Sequence, residues 1–179
     1  MYHSMKLASV VLTLAVVGCA GPGTVMPLAD VPDAIQVAAG ESLAMIVSAE
    51  GVQIYECRER KDAAGYEWAF VAPEAALFGA HGNRIGLHYA GPRWEAVDGS
   101  KVAGRVKASV PAPAAGAIPW LLLDVVSVGA EGSFSRITSI QRVNTAGGVA
   151  PGPSCSPAEA GARARIPYTA DYRFFAADE

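Results

Sequence analysis

The sequence predicts an all-β fold, a single-domain β-sandwich or β-barrel of about eight to ten strands. Three observations carry that expectation. Apolar residues alternate with small or polar ones through most of residues 31–179, the period that turns one strand face to a core and the other to water. Turn signals rich in Gly, Asn and Asp recur between the alternating runs. No segment keeps apolar residues at helical spacing for as long as about ten residues.

The first element stands apart from that fold. Met5-Lys6 precedes an uncharged run from Leu7 to Val17, shorter than the roughly 20 residues that span a bilayer but suited to the apolar region of an export signal. Val16-Val17-Gly18-Cys19 resembles a lipobox, so residues 1–18 read as a lipoprotein signal peptide and Cys19 as the lipidated residue. An ordinary secretory signal cleaved near Ala20 is the alternative. Ala20 is not the aspartate that favours inner-membrane retention in Gram-negative lipoproteins. The expected location is therefore the cell envelope, lipid-anchored at the periplasmic face of the outer membrane. Residues 19–30, rich in Gly, Pro and small side chains, read as a flexible tether. The domain is expected over residues 31–179.

Removing residues 1–18 takes away Lys6 and no acid, so the formal charge of -3 on 179 residues becomes -4 on 161. That length suffices for one domain that buries a sizeable core. Mild acidity without a Lys/Arg cluster gives no electrostatic footprint for nucleic acid. Membrane contact is expected only through the N-terminal lipid.

Along the domain, Leu43, Met45 and Val47 open the alternation, and a turn is expected at Ala49-Glu50-Gly51 before Val52 and Ile54. Ala63-Ala64-Gly65 precedes Trp68, Phe70 and Ala72, and Pro73–Phe78 allows a helical turn or two. His81-Gly82-Asn83 and Asp98-Gly99 mark further turns, the second leading into Val102, Gly104 and Val106. Val110–Pro119, with its prolines, reads as an extended crossing connection. Trp120–Leu123 fits a strand buried on both faces or one helical turn, and the flanking valines favour the strand. After Ala130-Glu131-Gly132 come the less regular Ile137, Ile140 and Val143, then Gly147-Gly148. Pro157–Gly161 allows another helical turn, and Tyr168, Ala170, Tyr172 and Phe174 alternate cleanly at the end.

With Cys19 assigned to lipid, Cys57 and Cys155 remain of the three cysteines. A leftover pair in an exported chain most simply forms a disulfide. Isolated cysteines with no C-x-x-C pair do not suggest a metal site.

Several blocks together resemble the domain of unknown function 3455 family. They are Val52-Gln53-Ile54-Tyr55-Glu56-Cys57, Phe70-Val71-Ala72-Pro73-Glu74-Ala75, His88-Tyr89-Ala90-Gly91-Pro92 with Trp94-Glu95, and Asp98-Gly99-Ser100. Ile118-Pro119-Trp120-Leu121-Leu122, Ile140-Gln141-Arg142-Val143-Asn144-Thr145 and Pro167-Tyr168-Thr169-Ala170-Asp171-Tyr172 complete the set in family order. The resemblance implies an exported, largely β domain and supplies no catalytic residues.

The richest chemistry lies in His88–Ser100. In one reading, Tyr89 and Trp94 form an apolar platform while Glu95 or Asp98 fixes the polar groups of a sugar or small molecule. His88 lies beside them, and Tyr168, Asp171 and Tyr172 join from the last strand. In the simpler structural reading, Gly91-Pro92 turns the chain, Trp94 fills the core and Asp98-Gly99-Ser100 is a hairpin turn. His81 and His88 with Glu95 or Asp98 would be the candidates for zinc or copper. However, no H-x-H or H-E-x-x-H pattern supports a metal, and His81 in its Gly-Asn turn reads as solvated. Neither a G-x-S-x-G elbow nor a G-x-G-x-x-G loop is present. No catalytic residue, metal ligand or cofactor is assigned. The expected role is noncatalytic, binding or structural, with a glycan, a small molecule or an envelope protein as partner. The alternative is an exported enzyme or metal-binding protein using His88, Glu95, Asp98 and Asp171.

Overall fold

Alternation along the chain resolves into eight strands: β1 (Glu41–Glu59), β2 (Tyr66–Phe78), β3 (Arg84–Tyr89), β4 (Arg93–Ala96), β5 (Lys101–Val110), β6 (Trp120–Ser127), β7 (Ile137–Gly147) and β8 (Arg163–Ala177). This computed structural model describes residues 30–178. The signal peptide, Cys19 and all but the last residue of the tether lie outside the described residues. Each strand pairs antiparallel with the next, and β1 pairs with β8, so the sheet closes on itself as an up-and-down barrel. Closure resolves sandwich against barrel, because every strand has a neighbour on each side.

The inward positions form the main core. Val47, Leu77, Trp94, Val102, Leu123, Ile140, Tyr172 and Phe174 are among its buried members. Outward positions carry ion pairs such as Arg163–Glu56, Arg165–Glu74 and Lys107–Asp124. Apolar inside with charge outside is the reverse of a transmembrane barrel. A second, smaller core lies outside the wall, where the short 3-10 turn Asp33–Ile35 covers Trp120, Leu122 and Val143. Ile35 is fully buried there, and its carbonyl accepts a hydrogen bond from Gln141 Nε2 at 2.7 Å. Thus β6 is a strand buried on both faces: Trp120 and Leu122 on the outside, Leu123 and Val125 within.

Four expectations of local structure need correction. Ala49-Glu50-Gly51 is not a turn, because β1 runs straight through it. A Cβ at Gly51 would lie 2.1 Å from the Glu74 carbonyl oxygen, so the glycine serves close approach of β2 to β1. Val52 and Ile54 point outward, and Gln53, Tyr55 and Cys57 are the buried set. Pro73–Phe78 is strand, not helix: Pro73 follows a bulge in the β1–β2 register and precedes Ala75, where β3 pairing begins, so β3 has no use for the missing N–H. Residues 111–119 form the hairpin loop between neighbouring strands β5 and β6, not a crossing connection.

Both ends of the barrel are pinned. Cys57 and Cys155, 98 positions apart in sequence, form a disulfide that joins β1 to the loop after β7, with Cα atoms 6.1 Å apart. At the other end, Phe134 inserts from the β6–β7 loop and stacks on Phe174 at 4.9 Å. Asp98 holds that loop down. Its carboxylate accepts from the Ser100 N–H and hydroxyl at 2.9 and 2.6 Å and from the Ser133 N–H and hydroxyl at 2.8 and 2.6 Å. These donors, the Ser100 and Ser133 hydroxyls foremost, hold the Asp98 carboxyl well below the usual carboxylate range. A depressed native pKa means that the unfolded chain binds more protons at acid pH. Asp98 therefore stabilises the fold fully above the unfolded value of about 3.9, and the contribution fades as pH falls toward the native value. Asp98→Asn is expected to lower Tm at pH 6–8 by a constant amount, with the gap to the parent shrinking progressively as pH falls below about 4. Thermal melts across pH check this, and a gap that persists unchanged to pH 2 would refute it.

Candidate functional site

Unequal strand lengths open a notch in the barrel wall. β3 has 6 residues and β4 has 4, against 13 in β2 and 10 in β5. β2 pairs with β3 only from Ala75 to Phe78, leaving Phe70–Pro73 overhanging. β5 pairs with β4 only from Lys101 to Ala103, leaving Val106 overhanging on the other side. Between the overhangs lies the turn Ala90-Gly91-Pro92. Above it a cavity of about 320 Å³ opens sideways into the barrel, lined by Phe70, Val71, Pro73, His88, Gly91, Pro92, Trp94, Val106, Leu121, Leu123 and Tyr172.

The cavity has a buried aromatic floor and an apolar rim. His88 stacks on Trp94 with centroids 4.3 Å apart and planes 14° from parallel, and Tyr172 meets both rings edge-on at 5.1 and 5.4 Å. Trp94 and Tyr172 are each 1% exposed, whereas the rim residues Phe70 and Val106 are 53% and 50% exposed. Trp94 pairs with Val102 on β5, and its ring reaches over Gly104 two positions on, where a Cβ would stand 2.8 Å from Trp94 Cζ3. A wide indole thus fits inside a narrow barrel.

Polar groups in the interior are few and constrained. His88 Nδ1 lies 2.9 Å from the Arg93 carbonyl oxygen, which can only accept, so Nδ1 carries the proton and Nε2 a lone pair. Burial pushes the His88 pKa down to about 3, with the bond to Arg93 opposing and the Arg142 charge adding to the fall. The imidazole is therefore neutral at physiological pH and unsuited to proton transfer there. Burial raises the Tyr168 and Tyr172 phenols, whose hydroxyls lie 3.5 Å apart. Two buried donors, Trp94 Nε1 and Gln53 Nε2, have no hydrogen-bond partner.

Arg142 is the one cation turned toward this interior among the described residues of β7. Its cross-strand partners are Leu121 on β6 and Tyr172 on β8, and both line the cavity. Partners across antiparallel strands share a face. Its charge also acts on Tyr55, His88, Tyr168 and Tyr172. Nε and Nη2 donate to the Pro119 carbonyl oxygen at 3.1 and 2.8 Å.

The structure divides the residues singled out from the sequence by strand parity. His88, Trp94, Tyr168 and Tyr172 converge inside. Tyr89, Glu95, Asp98 and Asp171 do not join them. Tyr89 donates to Glu95 at 2.6 Å, and Lys101 pairs with Glu95 at 2.9 Å, on the opposite face of the wall from Trp94. The Tyr89 hydroxyl and Lys101 hold the Glu95 carboxyl below its usual value. Asp98 is occupied in its turn, as the structural reading had it. Asp171 accepts from Ser48 at 3.3 Å and from Asn144 at 2.8 Å on the outer wall. The enzyme or metal set of His88, Glu95, Asp98 and Asp171 is therefore not assembled. Among the described residues no group of three His, Cys, Asp or Glu could hold a metal ion. Sequence reasoning missed the rim residues Phe70, Val71, Pro73 and Val106 as site members, and it did not place Arg142 on the inner face beside Leu121 and Tyr172. The signal for Arg142 was a basic residue two positions after Ile140, on a strand whose inward face is otherwise apolar.

Fold and site together define a small up-and-down β-barrel with a lateral apolar pocket. Residues 38–176 match the family described as "Protein of unknown function (DUF3455)", and the chain belongs to it. No curated protein and no solved structure matches the chain.

Proposed function

We propose that the protein is a noncatalytic binding protein of the cell envelope that holds a small, largely apolar molecule in the barrel notch. The observation that supports this best is the stacked Trp94–His88 pair with Tyr172 edge-on, forming a flat floor beneath an open apolar rim. Ligand pockets typically combine such apolar walls with a few oriented polar groups. Neutral His88 and the high-pKa phenols favour holding a ligand over acid–base chemistry. The test is a calorimetric screen of small apolar compounds and glycans against the parent and Trp94→Phe. Binding that weakens in the variant supports the reading. Ligands that bind equally to both, or bind only elsewhere on the surface, overturn it.

The envelope location rests on the lipobox-like run ending at Cys19. Cys19→Ser is expected to move the protein from the membrane fraction to the soluble exported fraction, as read by fractionation and mass spectrometry of the N-terminus. Unchanged fractionation would remove the lipid anchor from the proposal.

A further inference from the structure

We infer that the molecule held in the notch is one acyl chain of a bilayer lipid, taken in from the membrane to which the protein is tethered. This rests on the binding and envelope readings above and adds the chemical class of the ligand and its source. The notch leaves inner-wall residues half uncovered. Phe70 pairs with the buried Tyr55 and meets its ring edge-on at 5.8 Å, so it belongs to the inner face, yet it is half exposed. Val106 pairs with Leu123 of the main core and is half exposed too. Both stand where the pairing of β3 and β4 with their neighbours has already ended. None of the residues lining the cavity carries a carboxylate, ammonium or guanidinium group. Such a lining recognises an uncharged apolar body, and that body gains by covering it.

The point where the chain enters the domain argues for the source. Val31, Val110 and Ala112 all pack against the small outer core, so the chain enters beside the far end of β5, the strand that supplies Val106 to the rim. The notch opens toward that same end, because the overhangs Phe70–Pro73 and Val106 both lie on that side of the β3–β4 turn. Twelve positions separate Val31 from Cys19, so a lipid on Cys19 would keep this end within about 40 Å of the bilayer. An acyl chain fits the arrangement. It enters end-on, lies along the Trp94–His88 floor and leaves its head group outside an uncharged cavity of about 320 Å³. Phe70 and Val71 at the rim add apolar contact at the membrane surface.

The experiment places the exported protein, with its own N-terminal lipid, in vesicles of dioleoylphosphatidylcholine or of phosphatidylcholine brominated on its acyl chains. Tryptophan emission is the readout, because bromine quenches an indole it touches. The expected result is a loss of about a third of the emission in brominated vesicles, the share of one tryptophan in three. Trp94→Phe should remove most of that loss, although Trp68 and Trp120 remain. Should that variant fold poorly, Val106→Asp at the exposed rim should at least halve the loss. A second arm measures octanol and decanol on the Cys19→Ser protein by calorimetry. Decanol should bind at least fourfold more tightly, since each buried methylene is worth up to about fourfold. Equal emission in the two kinds of vesicle, or a protein that does not stay with them, overturns the membrane lipid as ligand. So does quenching that neither variant reduces, which would put the lipid elsewhere on the barrel. Decanol binding in those cases leaves the pocket reading standing, and its absence overturns that reading as well.

Discussion

Replacing both Cys57 and Cys155 with serine is expected to cost about 4–5 kcal/mol of stability, the chain-entropy value for a cross-link closing a loop of roughly 100 residues. The bridge spans 98 positions, from the buried end of β1 to the loop that follows β7. Modest contacts also hold the loop, among them the Tyr55 hydroxyl to the Gly148 carbonyl at 2.6 Å, Arg60 to the Pro153 carbonyl at 3.0 Å, the bridges Tyr66–Cys155 and Ala117–Gly148, and the Gly161 N–H to the Cys57 carbonyl at 2.8 Å. Hydrogen bonds of this kind contribute about 1 kcal/mol each. Urea unfolding of parent and variant, with matched slopes, measures the difference. A loss below about 1 kcal/mol would mean that those contacts, not the covalent link, restrain the chain.

The second large effect concerns Trp94. Trp94→Ala removes a side chain that is 1% exposed and packed against His88 and Tyr172, and is expected to destabilise by roughly 3–5 kcal/mol. The same change destroys the floor of the notch, so ligand binding should go with it. Because global loss of fold would mimic loss of a site, the informative partner is Gly104. Gly104→Ala places a methyl 2.8 Å from the indole, which is buried and has little room to yield, and should cost about 1–3 kcal/mol. In the Trp94→Phe background the clashing atom is absent and the cost should fall by more than about 0.5 kcal/mol. Additive effects in this double-mutant cycle would show that the glycine does not make room for the tryptophan.

Period-two patterning was legible wherever side chains of one strand face differed consistently from those of the other. Tyr168, Ala170, Tyr172 and Phe174 are inward and buried, as are Met45 and Val47 in part or whole. The pattern misled where a barrel asks for the unusual residue inside. Gln53 and Tyr55 occupy the inward positions of β1 while Val52 and Ile54 lie outside, because Tyr55 finds the Gly148 carbonyl and the bulge at Val71 re-aims the neighbouring strand. Gly51 carries the composition of a turn and the geometry of a strand. Only the presence of β2 at 2.1 Å from its missing Cβ tells the two apart.

The candidate site was half legible for the same reason. His88, Trp94 and Tyr172 were noticed as chemistry-bearing residues, but so were Tyr89, Glu95 and Asp171, and proximity along the chain does not separate the two faces of a strand. Arg142 could not be placed at all without knowing that β7 sets it between Leu121 and Tyr172.

What the amino-acid order determined unaided is the β class, the pairing of the two domain cysteines and the aromatic stock of the core. Each depends on local composition or on simple counting. The closed barrel, the notch beside its two shortest strands and the meeting of Arg142 with the aromatic floor were decided by tertiary structure. They arise from strand register and length mismatch across the sheet, and those are properties of neighbours far apart in sequence.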